Sequence, residues 1–265
     1  MRGGILVSKA DPLSRNVLKA LAEKADRASD RLFEVHGVPV IVVEEPLVPE
    51  PPERPDLDRL AEKVGVDYLA VVYRHESAKA IPCLTVHATG NFGEATYGGE
   101  ARELQRVPAN PMRRVFLRLL EGAPEGYRVS LEATHHPPTS YRTPMFFAEV
   151  GSSEEQWSDP RAYRCLAEAV VEALRDVEAP RAPAVVGFGG GHYAPTFSKM
   201  ETEYAFGHVC SKYSVDLLDL ELVSQMVERT VDGVELAFVE KSLKRRRRRM
   251  VADMLDELGV EWRLV

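Results

Sequence analysis

Apolar and polar positions repeat with two different periods along this chain, and the switches between them mark out strands and helices. An apolar run at 5–7 is followed, after the turn at Asp11-Pro12, by apolar residues at Val17, Leu18, Leu21 and Ala25, which predicts a strand and then a helix. The β-branched stretch 33–43 is broken at Gly37-Val38-Pro39 and reads as two short strands or one bent one. Region 46–55 contains Pro46, Pro49, Pro51, Pro52 and Pro55, so it is neither helix nor central strand but a surface loop. A helix over 56–64 leads into 68–73, which is almost wholly apolar and reads as a strand covered on both faces. Further strands are expected at 83–87, 127–133, 146–150 and 184–188. Helices are expected at 112–120 and from Pro160, where Tyr163, Leu166, Val170 and Leu174 form a buried stripe. The remainder reads as helix-rich, with a helix at 217–227, a strand at 234–239 and a last helix carrying Met250, Val251, Met254, Leu255 and Leu258 at helical spacing.

Strands alternating with helices predict an α/β fold with a mixed or mostly parallel sheet covered by helices on both faces. The only candidate boundary is the Pro-rich loop, so 1–265 is expected to form one domain. In such sheets ligands gather at the carboxyl ends of strands.

Composition narrows the class. With 265 residues, 45% hydrophobic and 28% charged, the chain can bury a full core, roughly three quarters of its unfolded surface. Cys83, Cys165 and Cys210 are odd in number and far apart, which argues against a disulfide framework and for a reducing compartment, so a cytoplasmic location is expected. Cys83 and Cys165 fall on apolar faces and read as core. The first residues lack a signal-peptide hydrophobic region, and no apolar stretch approaches the ~18 residues of a membrane span. The net charge is −7, but 244–249 (KRRRRR) concentrates six positive charges, and without them the body stands at −13. That is not the uniform basic footprint of a general nucleic-acid binder. The block is either a solvated helix face or a local RNA contact.

Candidate chemistry lies with the histidines. Five of seven fall at strand ends beside small or glycine-rich residues: His87 in TVHATGNFG, His135 and His136 in EATHHPPTSY, His192 in GFGGGHYAP and His208 in AFGHVCSKY; His36 and His75 are the others. Each alone could be a satisfied structural imidazole. Pro137-Pro138 forces a turn after the pair and biases His136 towards an extended conformation. The pair then offers either two surface imidazoles on a rigid loop, or general base, oxyanion donor or metal ligands. In GFGGGHYAP the glycines follow a strand and let backbone amides approach a ligand, but the spacing matches neither a dinucleotide nor a phosphate-loop motif. Followed by Tyr193, Thr196, Ser198 and Lys199, it reads as an active-site loop whose Gly189, Gly190 and Gly191 amides stabilise an oxyanion. Glu149, in FFAEVGS, is an inward carboxylate that needs a histidine, a metal or an arginine as partner.

The segments THHPPTSYRTPMFFAEVGSSEEQW, GFGGGHYAPTFSKM and AFGHVCSKY, with VSKADPLSRNV, YRHESAKAIPCLTVHATGNFGEATYGGE and the basic helix, resemble the archaeal and plant type of D-aminoacyl-tRNA deacylase over nearly the whole chain. Pro137 stands where the family has glycine, and Phe188 where isoleucine is usual; neither removes a polar group. The resemblance implies hydrolysis of the ester joining a D-amino acid to the terminal adenosine of tRNA, zinc dependence, and an α/β fold akin to phosphorylases and peptidyl-tRNA hydrolases. The matched positions expected to carry function are His87, His135, His136, Glu149, His192 and His208. Catalysis is expected from His135, His136, His192 and the Gly189–191 amides, and metal ligation from among His87, His135, Glu149, His192 and His208, with no individual assignment. A tRNA partner would be held by Lys199, Lys212, Arg245, Arg246, Arg247, Arg248 and Arg249, and rigid Gly-rich and Pro-rich loops would exclude the L side chain. A monomer is expected. A nucleoside phosphorylase or peptidyl-tRNA hydrolase would share the fold, and a non-catalytic RNA-binding module would leave the histidine loops without a role.

Overall fold

The structure, a computed structural model, describes residues 1–25, 31–51 and 54–265. Along the chain run β1 (Gly3–Ser8), α1 (Pro12–Ala22), β2 (Leu32–Val35), β3 (Val38–Val43), α2 (Leu57–Val64), β4 (Tyr68–Glu76) and β5 (Cys83–His87). The short pair β6 (Gly90–Asn91) and β7 (Glu103–Leu104) follows, then α3 (Ala109–Gly122), β8 (Arg128–Leu131), β9 (Met145–Ser152), α4 (Glu154–Trp157) and α5 (Pro160–Arg175). The last third holds β10 (Ala184–Phe188), α6 (Pro195–Met200), β11 (Ala205–Cys210), α7 (Leu220–Glu228), β12 (Val234–Val239), α8 (Arg245–Glu257) and β13 (Trp262–Leu264).

The fold is α/β with mostly parallel pairing, as expected, but the strands divide between two main sheets. One has the order β2-β3-β1-β4-β9-β5-β8, antiparallel only at β2–β3 and β5–β9; the other, β11-β10-β12-β13, is wholly parallel. The tail is thus less helical than its pattern suggests: β11 and β13 are additional strands, and the expected helix at 217–227 is split. A 3₁₀ turn at Val215–Leu217 stops before Asp219, whose carboxylate accepts from Leu222 N at 3.1 Å and starts α7 afresh. Asp11 and Asp159 cap α1 and α5 likewise, each just before a proline at the first helical position. In the Pro-rich loop Leu47 is buried; residues 52–53 lie outside the described residues.

One apolar cluster joins the two sheets. Val72, Ala148 and Val86 on one face of the first sheet meet α1, α3 and α5, and the same cluster continues through Phe197 to Phe206 and Phe238 of the second sheet. A separate cluster packs α7 and α8 on the other face of the second sheet.

The opposite face of the first sheet positions the chemistry. Side chains of paired residues share a face and alternate along each strand. The register Tyr73↔Glu149↔Thr85, His75↔Gly151↔Cys83 and Phe147↔His87 therefore places His75, Glu149 and His87 together on that face. Among the described residues no helix is long and apolar enough to cross a membrane.

Candidate active site

Three strands and two loops converge on this face. His87 is the last residue of β5, His75 lies near the end of β4, and Glu149 sits within β9. Glu132 follows β8 directly, with its amide donating to Val86 O at 3.1 Å. His135 and His136 come next, in a loop stitched on several sides. Ala133 N donates to His192 O (2.7 Å), Thr134 N to Val209 O (2.8 Å), Gly90 N to His136 O (2.8 Å) and Thr89 Oγ1 to Pro138 O (2.7 Å). His136 is not extended as Pro137 alone would favour; it has φ 47°, a left-handed conformation held by these contacts and by its own ring, whose Nδ1 donates to Pro137 O at 2.5 Å.

Five imidazoles thereby surround two buried carboxylates. Glu132 faces His75 Nδ1 and His192 Nε2, each at 3.0 Å, and His135 Nε2 at 3.6 Å. Glu149 faces His87 Nε2 at 3.4 Å, His75 Nδ1 at 3.6 Å and His136 Nε2 at 3.9 Å. Neighbouring ring centroids lie 4.4 to 4.9 Å apart for the His135–His136 and His87–His136 pairs. A cavity of about 480 Å³ opens onto this cluster between Val48, Pro49 and Tyr97. Gly151 makes the crossing possible, since a Cβ there would fall 2.4 Å from His75 Cδ2 and 2.8 Å from its Cβ.

Hydrogen bonding fixes three tautomers. The Nδ1 atoms of His87, His135 and His136 face the carbonyl oxygens of Ala88 (3.1 Å), Ala133 (2.8 Å) and Pro137 (2.5 Å). A carbonyl only accepts, so each Nδ1 carries a proton and each ring turns its Nε2 to the centre. Burial and the neighbouring His136, His87 and His192 push the His135 pKa well below its ordinary value, so it stays neutral. Burial opposes the ionised form of both carboxylates, yet the surrounding histidines outweigh it and hold Glu132 below, and Glu149 well below, the usual range. Burial likewise works against charging His75 and His87, and the carboxylates of Glu149 and Glu132 reverse this, raising both. Lone pairs and two negative charges thus converge in a buried space that a cation would satisfy.

Two further observations support a metal fit. His87 Nε2 and both oxygens of Glu132 are buried without an aligned hydrogen bond. Donor atoms of three groups, His87–His135–His136, His75–Glu132–His192 and His87–Glu132–Glu149, lie within 4.8 Å of one another in each group, a nitrogen and oxygen set that suits zinc.

The sequence foresaw His87, His135, His136, His192 and Glu149 here, but not His75 or Glu132. His208 does not join the metal-competent groups of the described residues. It is buried inside β11, with Nδ1 3.2 Å from Thr134 Oγ1, and burial lowers its pKa to about 3, so it braces the histidine loop as a neutral ring. Two of the three glycine amides are already committed: Gly189 N donates to Cys210 O (2.8 Å) and Gly190 N to Glu240 Oε2 (2.7 Å). Neither serves an oxyanion, and of the three only Gly191 N has no hydrogen-bond partner among the described residues. Cys165 is half-buried at the edge of α5 rather than in the core. Lys199 lies on α6, Lys212 follows β11, and Arg245, Arg246, Arg247, Arg248 and Arg249 open α8.

The family model for D-aminoacyl-tRNA deacylase matches residues 62–263. A D-aminoacyl-tRNA deacylase of Thermococcus kodakarensis is 34% identical over 268 residues, covering 97% of this chain and 98% of the relative. That of Ignicoccus hospitalis is 41% identical over 241 residues, covering 89% and 93%. A crystal structure of a conserved protein described as of unknown function, AF0625, superposes with a TM-score of 0.87 at 27% identity over 99% of this chain and 94% of that one. A match over three quarters of the sequence, with relatives aligned nearly end to end, places the histidine–carboxylate cluster in a known lineage: the chain belongs to the D-aminoacyl-tRNA deacylase family.

Proposed function

We infer that this cluster hydrolyses the ester of D-aminoacyl-tRNA, releasing tRNA and D-amino acid and so removing mischarged tRNA from translation. The observation that carries the reading is the convergence of His75, His87, His135, His136 and His192 on Glu132 and Glu149 at the floor of one cavity, in a chain of this family. An aminoacyl ester is already activated, so the site needs a positioned water, a proton acceptor and donors for the developing negative charge.

His192 is the most exposed of the five histidines, with its Nε2 on Glu132, which leaves Nδ1 directed away from the carboxylate as an acceptor for the water proton. Glu132 orients that ring and stabilises the imidazolium it becomes. His75 is held from its other side by Tyr193, whose hydroxyl lies 3.0 Å from Nε2. Gly191 N is the amide open to the carbonyl oxygen. His87, His135 and His136 are the residues that fit zinc, with Glu149 beside them. When bound, the ion would supply Lewis acidity and a water made acidic near neutral pH. The rigid histidine–proline loop, with His136 locked in its left-handed conformation, serves as the wall that excludes an L side chain.

The basic block supports a tRNA partner. Five arginines open α8 with no acidic residue in its first turn, an arrangement the helix dipole disfavours. Phosphate contact accounts for it where helix stability does not. Three unpaired cysteines fit work in the reducing cytoplasm.

The test is incubation with D-tyrosyl-tRNA and L-tyrosyl-tRNA, with and without added zinc. Hydrolysis confined to the D ester and lost after chelation is expected. Equal hydrolysis of both refutes the chiral reading, full activity of a metal-free preparation refutes zinc, and cleavage only of N-acylaminoacyl-tRNA would make the chain a peptidyl-tRNA hydrolase in function.

A further inference from the structure

A second hollow, about 430 Å³, opens next to the active site on the side of β8 and α6. Its floor is apolar, formed by Ile81, Phe116 and Val129, and the exposed cations Arg128 and Lys199 stand at its rim. Tyr193 is the wall it shares with the catalytic cluster. Its ring centroid lies 5.1 Å from that of His192, and its hydroxyl reaches His75. The hollow is therefore one side chain away from the reacting ester.

Charge decides what fits. About half of the arginines among the described residues are matched to carboxylates, such as Arg102 to Asp219, Arg164 to Glu23 and Arg181 to Asp232. Arg128 and Lys199 have no ion-pair partner among the described residues. An apolar floor flanked by two free cations complements a planar base joined to a phosphodiester: the base covers the apolar surface and the cations neutralise the phosphate. An uncharged amino-acid side chain would leave both cations unused.

We propose that this hollow is the subsite for the 3′-terminal nucleotides of the tRNA, with a base against Phe116 and Val129 and a phosphate between Arg128 and Lys199. The wider mouth at Tyr97 and Pro49 is then left to the D-amino acid side chain. Tyr193 spaces the two by separating the nucleotide floor from the histidine cluster. The proposal rests on the deacylase reading and goes beyond it by fixing which way the substrate lies across the site.

The test compares the Arg128→Gln/Lys199→Gln double variant on D-tyrosyl-tRNA and on 3′-O-D-tyrosyl-adenosine, which has the ester but no phosphate. The variant should lose about tenfold more kcat/KM on the tRNA than on the adenosine ester, mainly through KM. Its log–log salt dependence should flatten by about 1 for each cation removed. A second variant, Val129→Phe, fills the floor and should weaken D-alanyl-tRNA and D-tyrosyl-tRNA by the same factor. Equal losses on the two tyrosyl esters, an unchanged salt slope, or a Val129→Phe enzyme that rejects D-tyrosyl-tRNA and keeps D-alanyl-tRNA would each overturn the assignment, the last by making the hollow the side-chain pocket. Wild-type protein that cleaves neither D-tyrosyl ester would instead overturn the deacylase reading itself.

Discussion

Gly151→Ala probes the role of His75, because the three atoms nearest an added methyl all belong to that side chain. An added methyl would sit 2.4 Å from His75 Cδ2 and 2.8 Å from its Cβ, well inside contact distance. The near atoms include the root of the side chain, so the ring cannot swing clear by a rotation at its far end. It must move by several tenths of an ångström or more, which disturbs its contacts with Glu132 and with Tyr193, both now at 3.0 Å. A misplacement of about 1 Å at a catalytic group costs on the order of 100-fold in rate, or about 2.7 kcal/mol of transition-state stabilisation. Overpacking also lowers stability, by about 1 to 3 kcal/mol. The assay is single-turnover hydrolysis of D-tyrosyl-tRNA by Gly151→Ala, His75→Ala and the double variant, with thermal unfolding of each. If the methyl acts through the His75 ring, the double variant is no slower than His75→Ala alone and regains part of the lost stability, since the 2.4 Å clash with Cδ2 has gone and only the 2.8 Å approach to Cβ remains. Gly151→Ala activity within twofold of wild type, or losses that simply add, would refute the account.

Metal affinity should fall with acidity from above pH 6.5. The raised pKa values of His75 and His87 mean that protons compete for the site higher than for ordinary histidines, and metal content measured after gel filtration across pH 5 to 8 checks this. Glu132→Gln should lower metal retention by at least tenfold while leaving the fold intact by circular dichroism, because it removes a buried charge facing three imidazoles. Within the basic block, Arg247 is already engaged by Asp216, whereas Arg245 and Arg246 have no ion pair among the described residues. Replacing those two by glutamine should therefore weaken tRNA binding more than Arg247→Gln in a salt titration. Asp11 is buried, and burial raises its pKa to about 6 despite its bonds to Ser14 and Arg74. The folded state therefore holds this proton more tightly than the unfolded chain, and ionising it costs stability as pH rises from 3.8 to about 6. Asp11→Asn keeps the helix cap, so it should gain up to roughly 3 kcal/mol relative to wild type between pH 4 and pH 7; a constant offset in denaturant melts would contradict this.

The sequence was most legible where one local rule acts alone. The run Tyr68–Tyr73 is apolar on every residue because both faces of β4 are covered, and Pro160 opens α5 where its missing amide costs nothing. Glu149 stands out as a carboxylate in an apolar strand, where it needs a histidine, a metal or an arginine as partner, and the fold supplies histidines. Glu132 is masked in the sequence because YRVSLEA alternates like an exposed strand, where a glutamate is ordinary. The available signal was phase, since Glu132 shares its face with Ser130 and, across the register, with His87. His75 carries no such signal, because it sits within YRHE, a polar strand end, and the period that aligns Tyr73 with His75 has meaning only once β9 lies beside it.

The sequence by itself determined the α/β class, the apolar strands and the residues able to do acid–base or metal chemistry, because periodicity and side-chain chemistry are local properties. Only the tertiary structure decided which of those residues meet. Residues 75, 87, 132, 135, 149 and 192 are brought within 4 Å of a partner in the cluster by strand register and by crossovers that no local pattern encodes. The same long-range contacts engage the Gly189 and Gly190 amides with Cys210 and Glu240, and β11 sets His208 apart from the metal-competent groups with its Nδ1 beside Thr134.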